Sequence, residues 1–532
     1  MRKVIGIFAA FAFAMNAQAQ TLADGVKMYK YERYKSAQSM LAPFADKDPI
    51  ANYYLGLSQL GAGLVTDANN TFSKFPEDPA NMSGLARVAF VKNNPTEGAR
   101  LAKLVADKAK KKEWEPLRYA ADAITYTDGG DNQQAITWYK SALEKSDDAD
   151  IHIGLGDAYQ KIQGGGGEAM NNYEHITEKD AKNSLAFSRI GALWYAAHNY
   201  PSALDNYGKA KNADSTNPIP YRDLANAYER SGSYDLAYQN IKRYYDLSDK
   251  SVDDQVNLVD IMYLSKRYDE AIKGAQQLLS SGVTNKPGIY GILAYSQMEN
   301  GDSTDALTNT RIYFSKQDPK KIYPADYLNY GKLALKLNLL DTAGYYYAKA
   351  LDADTSQNKT EIYRQVAEAF KDAKEYAKSA EWYNKLVKAN PATQPLDYFW
   401  RGAMYYYAKD YSNAATSFQE METKYPDQPS ATYWRGRSGA ALDPDAKQGT
   451  AAPYFIKWIN AVGADPTKKN DMILAEEYLL LYYYNTNDKP DEKTWKEKLD
   501  VLNPADDLIK QINEAEKSSS APKKTTTTKK SK

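Results

Sequence analysis

Between Tyr221 and Asp249 the apolar positions follow a helical period twice, with one polar interruption. Leu224, Ala225 and Tyr228 mark a first helix, and Ala237, Ile241 and Tyr244 mark a second. Between them, Gly232 supplies the positive φ that ends a helix, and Ser233 stands where the next helix is capped. The segment is therefore predicted to be an αα-hairpin. Its small residue recurs, because Ala135, Ala169, Ala203, Ala237 and Ala271 stand 34 residues apart. A unit of that length cannot bury a core alone, so successive units must stack into a solenoid.

The same slot is filled earlier by Ala37, Ala68 and Gly98 and later by Ala306, Ala343, Ser379 and Ala414, with weaker equivalents near Tyr454 and Glu492. This makes about fourteen units. Large rings accompany the small residues: Gly156, Tyr159, Ala169 and Tyr173; Gly191, Trp194, Ala203 and Tyr207; Tyr327, Gly331, Ala343 and Tyr347; Tyr398, Gly402, Ala414 and Phe418. Helix axes approach closely only where contact residues are small, and neighbouring rings fill the space beside them.

These positions resemble the tetratricopeptide repeat over most of residues 21–516. The resemblance implies an all-α fold, an α-solenoid of helix hairpins wound into a superhelix. It divides the chain into a segment 1–19 ahead of the repeats, irregular repeats over 20–115, a regular array over 116–430, divergent repeats and a capping helix over 431–516, and a tail over 517–532.

The two ends differ from the array. Met1-Arg2-Lys3, an apolar run from Val4 to Met15 and Ala17-Gln18-Ala19 read as a secretory signal peptide cleaved after Ala19. That run is too short to span a bilayer stably, and no other stretch approaches the required length. Lys517 to Lys532 is basic and almost without apolar residues, so it is expected to be disordered. Its lysines suit electrostatic contact with an anionic envelope surface. The expected setting is a bacterial periplasm, ahead of the cell surface or the medium.

Charge and composition narrow the function. Lys plus Arg equal Asp plus Glu at 68 each, which gives no electrostatic case for a nucleic-acid partner. The absence of cysteine excludes disulfides and thiolate metal sites, and 45 tyrosines mostly occupy ring positions of the repeat. His152 fills an aromatic repeat position, His198 belongs to a turn, and His175 shows no metal-like spacing with either. Gly164 to Gly167 lacks the ending of a phosphate-binding loop. No catalytic, cofactor or metal residue is assigned, and the chain is expected not to be an enzyme.

What the resemblance adds is an inner wall formed by the first helix of each hairpin. On it would lie Asp157, Arg222, Asn226, Tyr295, Lys332, Arg364, Tyr406, Tyr433 and Arg437, of which all but Asp157 are the candidate groove residues. Arginine grips carboxylates bidentately, and tyrosine offers rigid contact area. Arg222, Asn226 and Asn257 resemble part of a carboxylate clamp, but Gly288 and Ile292 stand where its further basic residues would be. The expected function is a protein-binding scaffold for envelope proteins or peptides. The alternatives are a glycan-binding or wall-associated protein, since Trp400 and Trp434 lie near the same wall, and an accessory subunit of an envelope complex.

Overall fold

The computed structural model describes residues 22–520 except 357, 358 and 464. Among them are 29 α-helices, the number expected of fourteen hairpins and one capping helix, and no strand. None of these helices is long and apolar enough to cross a membrane. The signal-peptide reading over 1–19 and most of the tail lie outside the described residues. The last helix, Asp507–Ser520, runs past the expected start of the tail at Lys517, and Glu516 beside that point pairs with Lys489 and Lys496.

The chain divides into two compact units, one ending at Gly301 and the other starting at Asp302. Within each, antiparallel helices pack on their sequence neighbours. The local signals are repeated ones. Asp48, Asp78, Asn94 and Asn199 each accept a hydrogen bond from a first-turn N–H, and proline opens each of the helices that follow. Gly232 has φ +73°, as the sequence requires. Ser233 takes the position before the next helix but its side chain makes no capping bond; it meets the Ser231 hydroxyl instead.

The hairpin core follows the small-and-large pattern. A Cβ added at Gly156 would fall 2.4 Å from the Tyr173 ring, one at Gly331 2.3 Å from Tyr347, and one at Gly402 2.7 Å from Phe418. Ala135, Ala169, Ala203, Ala237 and Ala271 are all fully buried. The first helix gives up its side chain at the crossing so that a ring of the second helix can lie flat against its backbone.

Two kinds of local cost run against this pattern, left-handed turn residues that are not glycine and a buried carboxyl; Lys266, Lys374 and Lys409 are among the former. Lys374 holds the left-handed turn position with φ +62°, a conformation that costs a residue with a Cβ about 1 kcal/mol or more. In the second unit Glu476 is 4% exposed, and its Oε2 has no partner among the described residues. Burial pushes that carboxyl up to about 7.

Lys374→Gly is expected to raise stability by about 1 kcal/mol, read as a higher urea midpoint; a lower midpoint would mean that the lysine side chain holds the turn. Because the folded pKa of Glu476 is raised, its stabilising contribution is complete below the ordinary carboxylate range and is lost as pH climbs through about 7. Glu476→Gln should therefore leave the midpoint unchanged near pH 4 and raise stability by on the order of 2 kcal/mol near pH 8. An equal effect at both pH values would contradict this.

Candidate functional site

In the first unit six consecutive first helices turn one face toward a common cavity of about 390 Å³. They are Pro49–Gly61, Pro79–Val91, Glu115–Thr125, Ala149–Gln160, Ser184–Ala196 and Ile219–Arg230. The segment Tyr29 to Tyr34 of the first hairpin supplies the remaining wall. Tyr29, Tyr53, Tyr54, Leu57, Ile153 and Leu185 make much of the lining apolar or aromatic.

Charge enters this lining unevenly. Arg118 Nη1 lies 3.0 Å from Asp122 Oδ2 and Arg87 Nη2 lies 3.7 Å from the same oxygen, while the Tyr139 hydroxyl donates to Asp122 Oδ1 at 2.6 Å. Two guanidinium groups thus share one carboxylate. Arg87 is 6% exposed and Arg118 9%, and the Nε of each has no hydrogen-bond partner among the described residues. The Tyr53 hydroxyl, in the same lining, is also buried and unpartnered. Burial pushes its pKa up, so it remains a neutral donor. The other lining charges near this cluster are paired. Arg189 grips Asp157 bidentately at 2.8 and 3.1 Å, and Lys30 Nζ lies 2.7 Å from Asp150. Around Asp122 the cavity therefore presents one buried positive charge in excess, with donors already in place.

The first hairpin reaches this region across long chain separations. Tyr31 and Lys27 meet Asp214, while Ser36 and the Lys35 backbone N–H meet Asp249. Arg222 pairs with Glu32 and lies 3.5 Å from Asp223, whose carboxyl burial pushes up to about 6 despite that neighbour. Arg222 was expected as a free cationic fork on the wall. It is instead used inside the chain, because the curvature of the array brings the first turn against the seventh hairpin.

The other expected wall residues fare differently. Asn226 and Lys332 are exposed. Tyr295 is half-buried with Tyr263 at 6.2 Å, ring to ring. Arg364 is held bidentately by Asp397 at 3.0 and 2.9 Å and also reaches Glu361. Tyr433 is 5% exposed, its hydroxyl donating to Asp471 at 2.6 Å and its ring 4.6 Å from Trp458, so it is part of the core and not an exposed anchor. Tyr406 and Arg437 do come together: Arg437 donates to the Tyr406 hydroxyl at 3.3 Å and stacks 4.5 Å from the Trp434 ring. No carboxylate lies within ion-pair distance of Arg437 among the described residues.

Arg87 and Arg118 were missed by sequence reasoning. Arg87 sits in the irregular early repeats and Arg118 at the very start of the regular array, beside the overlong step from Gly98 to Ala135, where the wall positions could not be read by register. The available signal was a lone arginine inside an otherwise apolar helical run, as in Gly84-Leu-Ala-Arg87-Val-Ala-Phe90. The histidines were also incompletely read. His152 is a packed ring, as its repeat position suggested, but His175 lies against it with ring centroids 4.3 Å apart. His198 holds the left-handed position of its turn with φ +59°.

Residues 125–163 match the family model described as TPR repeat. No curated protein matches the chain. Among solved structures, the C-terminal part of a TPR repeat-containing protein from Cytophaga hutchinsonii is 29% identical over 48% of this chain and 97% of its own, with a TM-score of 0.38. A tetratricopeptide repeat protein from Parabacteroides merdae is 18% identical over 48% of this chain and 98% of its own, with a TM-score of 0.34. YrrB, a TPR protein with an unusual peptide-binding site, is 16% identical over 37% of this chain and 97% of its own, with a TM-score of 0.30. Residues 125–163 thus match a tetratricopeptide repeat, the 34-residue period continues beyond that match, and the glycine-and-ring contacts recur on both sides of it.

Proposed function

We propose that this chain is a non-enzymatic scaffold of the bacterial cell envelope, exported by its N-terminal segment, which holds a carboxylate-bearing end of a partner polypeptide in the cavity of the first unit. The fold class is one that serves protein–protein interaction generally. One observation carries the finer reading: Arg87 and Arg118 share the single carboxylate of Asp122 inside a tyrosine-lined cavity. A partner carboxylate would neutralise the excess charge, take the unpartnered Nε and Tyr53 hydroxyl donors, and place an apolar side chain against Leu57 and Ile153. A buried cation with nothing to pair is costly, so the gain comes largely from relieving that state.

A second reading, a glycan or wall-polymer ligand, is favoured by the ring cluster of the second unit. There Tyr406 and Trp434 flank Arg437, and the 47%-exposed Tyr407 lies 6.1 Å from the Trp434 ring.

The test compares short fluorescent peptides that end in leucine with a free carboxylate or with an amide, titrated against the purified chain. The free acid is expected to bind at least about tenfold more tightly, a difference of about 1.4 kcal/mol. Tyr53→Phe should weaken the acid alone, by about 1 kcal/mol, and Arg118→Gln should abolish the preference. Equal binding of acid and amide would remove the cavity reading. Affinity for soluble wall fragments lost on Trp434→Ala, together with that result, would establish the second.

A further inference from the structure

Asp147, His152 and His175 belong to one hairpin but to three parts of it. Asp147 precedes the helix Ala149–Gln160, His152 lies in that helix's first turn, and His175 lies on the following helix, Gly166–Lys179. Asp147 Oδ1 is 2.7 Å from His152 Nε2 and 2.9 Å from His175 Nε2. All three atoms fall within 4.8 Å of one another.

The surrounding hydrogen bonds decide what these atoms are. Asn172 Nδ2 donates to the Glu168 carbonyl at 2.8 Å, which turns Asn172 Oδ1 toward His152 Nδ1 at 2.9 Å. An amide oxygen only accepts, so Nδ1 carries the hydrogen. In neutral imidazole the lone pair is then at Nε2, facing a carboxylate oxygen that also only accepts. Two acceptors at hydrogen-bond distance require a positive species between them, either a second proton or a metal ion. His175 Nε2 converges on the same oxygen from the other helix at 2.9 Å, so a third ligand atom is already in place beside the first two.

We propose that Asp147, His152 and His175 bind a divalent transition-metal ion of the zinc type, through the two imidazole Nε2 atoms and one carboxylate oxygen, with water completing the tetrahedron. Two nitrogens among three ligands suit zinc, nickel or copper and disfavour the oxygen-seeking magnesium and calcium ions. The outer contacts suit it as well. Asn172 fixes the His152 tautomer, and Lys179 engages the second oxygen of Asp147, leaving Oδ1 as the single donor. Lys179 also opposes a cation through its charge, but from the far side of the carboxylate. The ion would clip the two helices of this hairpin together. Because Asp150 and Ile153 of the first of these helices line the cavity, the clip would also fix part of its wall.

The test titrates zinc chloride into the untagged, chelator-treated full-length chain by calorimetry and repeats the titration with His175→Gln, a change at a side chain 38% exposed. The expected result is one zinc ion per chain at micromolar affinity or tighter, weakened at least about tenfold by the substitution. Cobalt in its place should show the visible absorption of a four-coordinate ion. Either no stoichiometric zinc binding or equal binding by His175→Gln would overturn the proposal, and would leave His152 and Asp147 as a proton-bridged ion pair.

Discussion

A helix that lacks a side chain at one point, faced by an aromatic ring from the next helix, is the contact that recurs most often through the described hairpins. Gly156 with Tyr173, Gly191 with Tyr207, Gly331 with Tyr347 and Gly402 with Phe418 repeat it, and Gly436 with Phe455 carries it into the divergent C-terminal repeats. The ring buries a large apolar area, and the missing Cβ lets two backbones approach at the distance that this burial needs. Neither half suffices alone. Glycine in a helix interior costs about 1 kcal/mol relative to alanine, and that cost is offset only because the ring occupies the space.

Once a hairpin closes on its small residues, the opposite face of the first helix is free of core duty. In the first unit six such faces surround a cavity, and the residues placed there are not those a core would select. Arg87, Arg118 and the Tyr53 hydroxyl are buried with donors left over. Buried unpartnered groups also occur in the hairpin cores, as at the Tyr347 and Tyr383 hydroxyls, so what marks the cavity is that two guanidinium groups and a hydroxyl gather in one lining. The first hairpin adds closure, since Glu32, Tyr31 and Ser36 tie it to residues far along the chain.

Much of the architecture was legible in the residues because the contacts that define it are local. Each glycine and its ring stand within one hairpin, so the period exposes them directly. The closure was not legible: the meeting of Glu32 with Arg222 depends on rotations summed over six hairpins, and no single repeat encodes that sum. For the same reason Arg222 was placed on a free wall. Tyr433 was misplaced differently. Its helix continues the pattern, but Trp458 of the helix Ala452–Val462 and Asp471 of the longer helix Lys469–Asn485 cover the face that would otherwise be open. His152 and His175 meet across a hairpin turn, where the spacing matches no ligand motif and only the packed register brings the rings together. The pairing of Tyr406 with Arg437 was recoverable, because both occupy equivalent rows of successive first helices.

The glycine-and-ring contact is tested most directly by Gly331→Ala, made alone and in a Tyr347→Leu background, with urea midpoints for all four chains. Alanine in an unobstructed helix interior stabilises by about 1 kcal/mol, so the sign of the change is informative. With the Tyr347 ring 2.3 Å from the new Cβ, Gly331→Ala should instead destabilise by about 1–3 kcal/mol, and the loss should vanish or reverse when the ring is shortened. A stabilising Gly331→Ala in the natural background, unaffected by the residue at 347, would contradict the account.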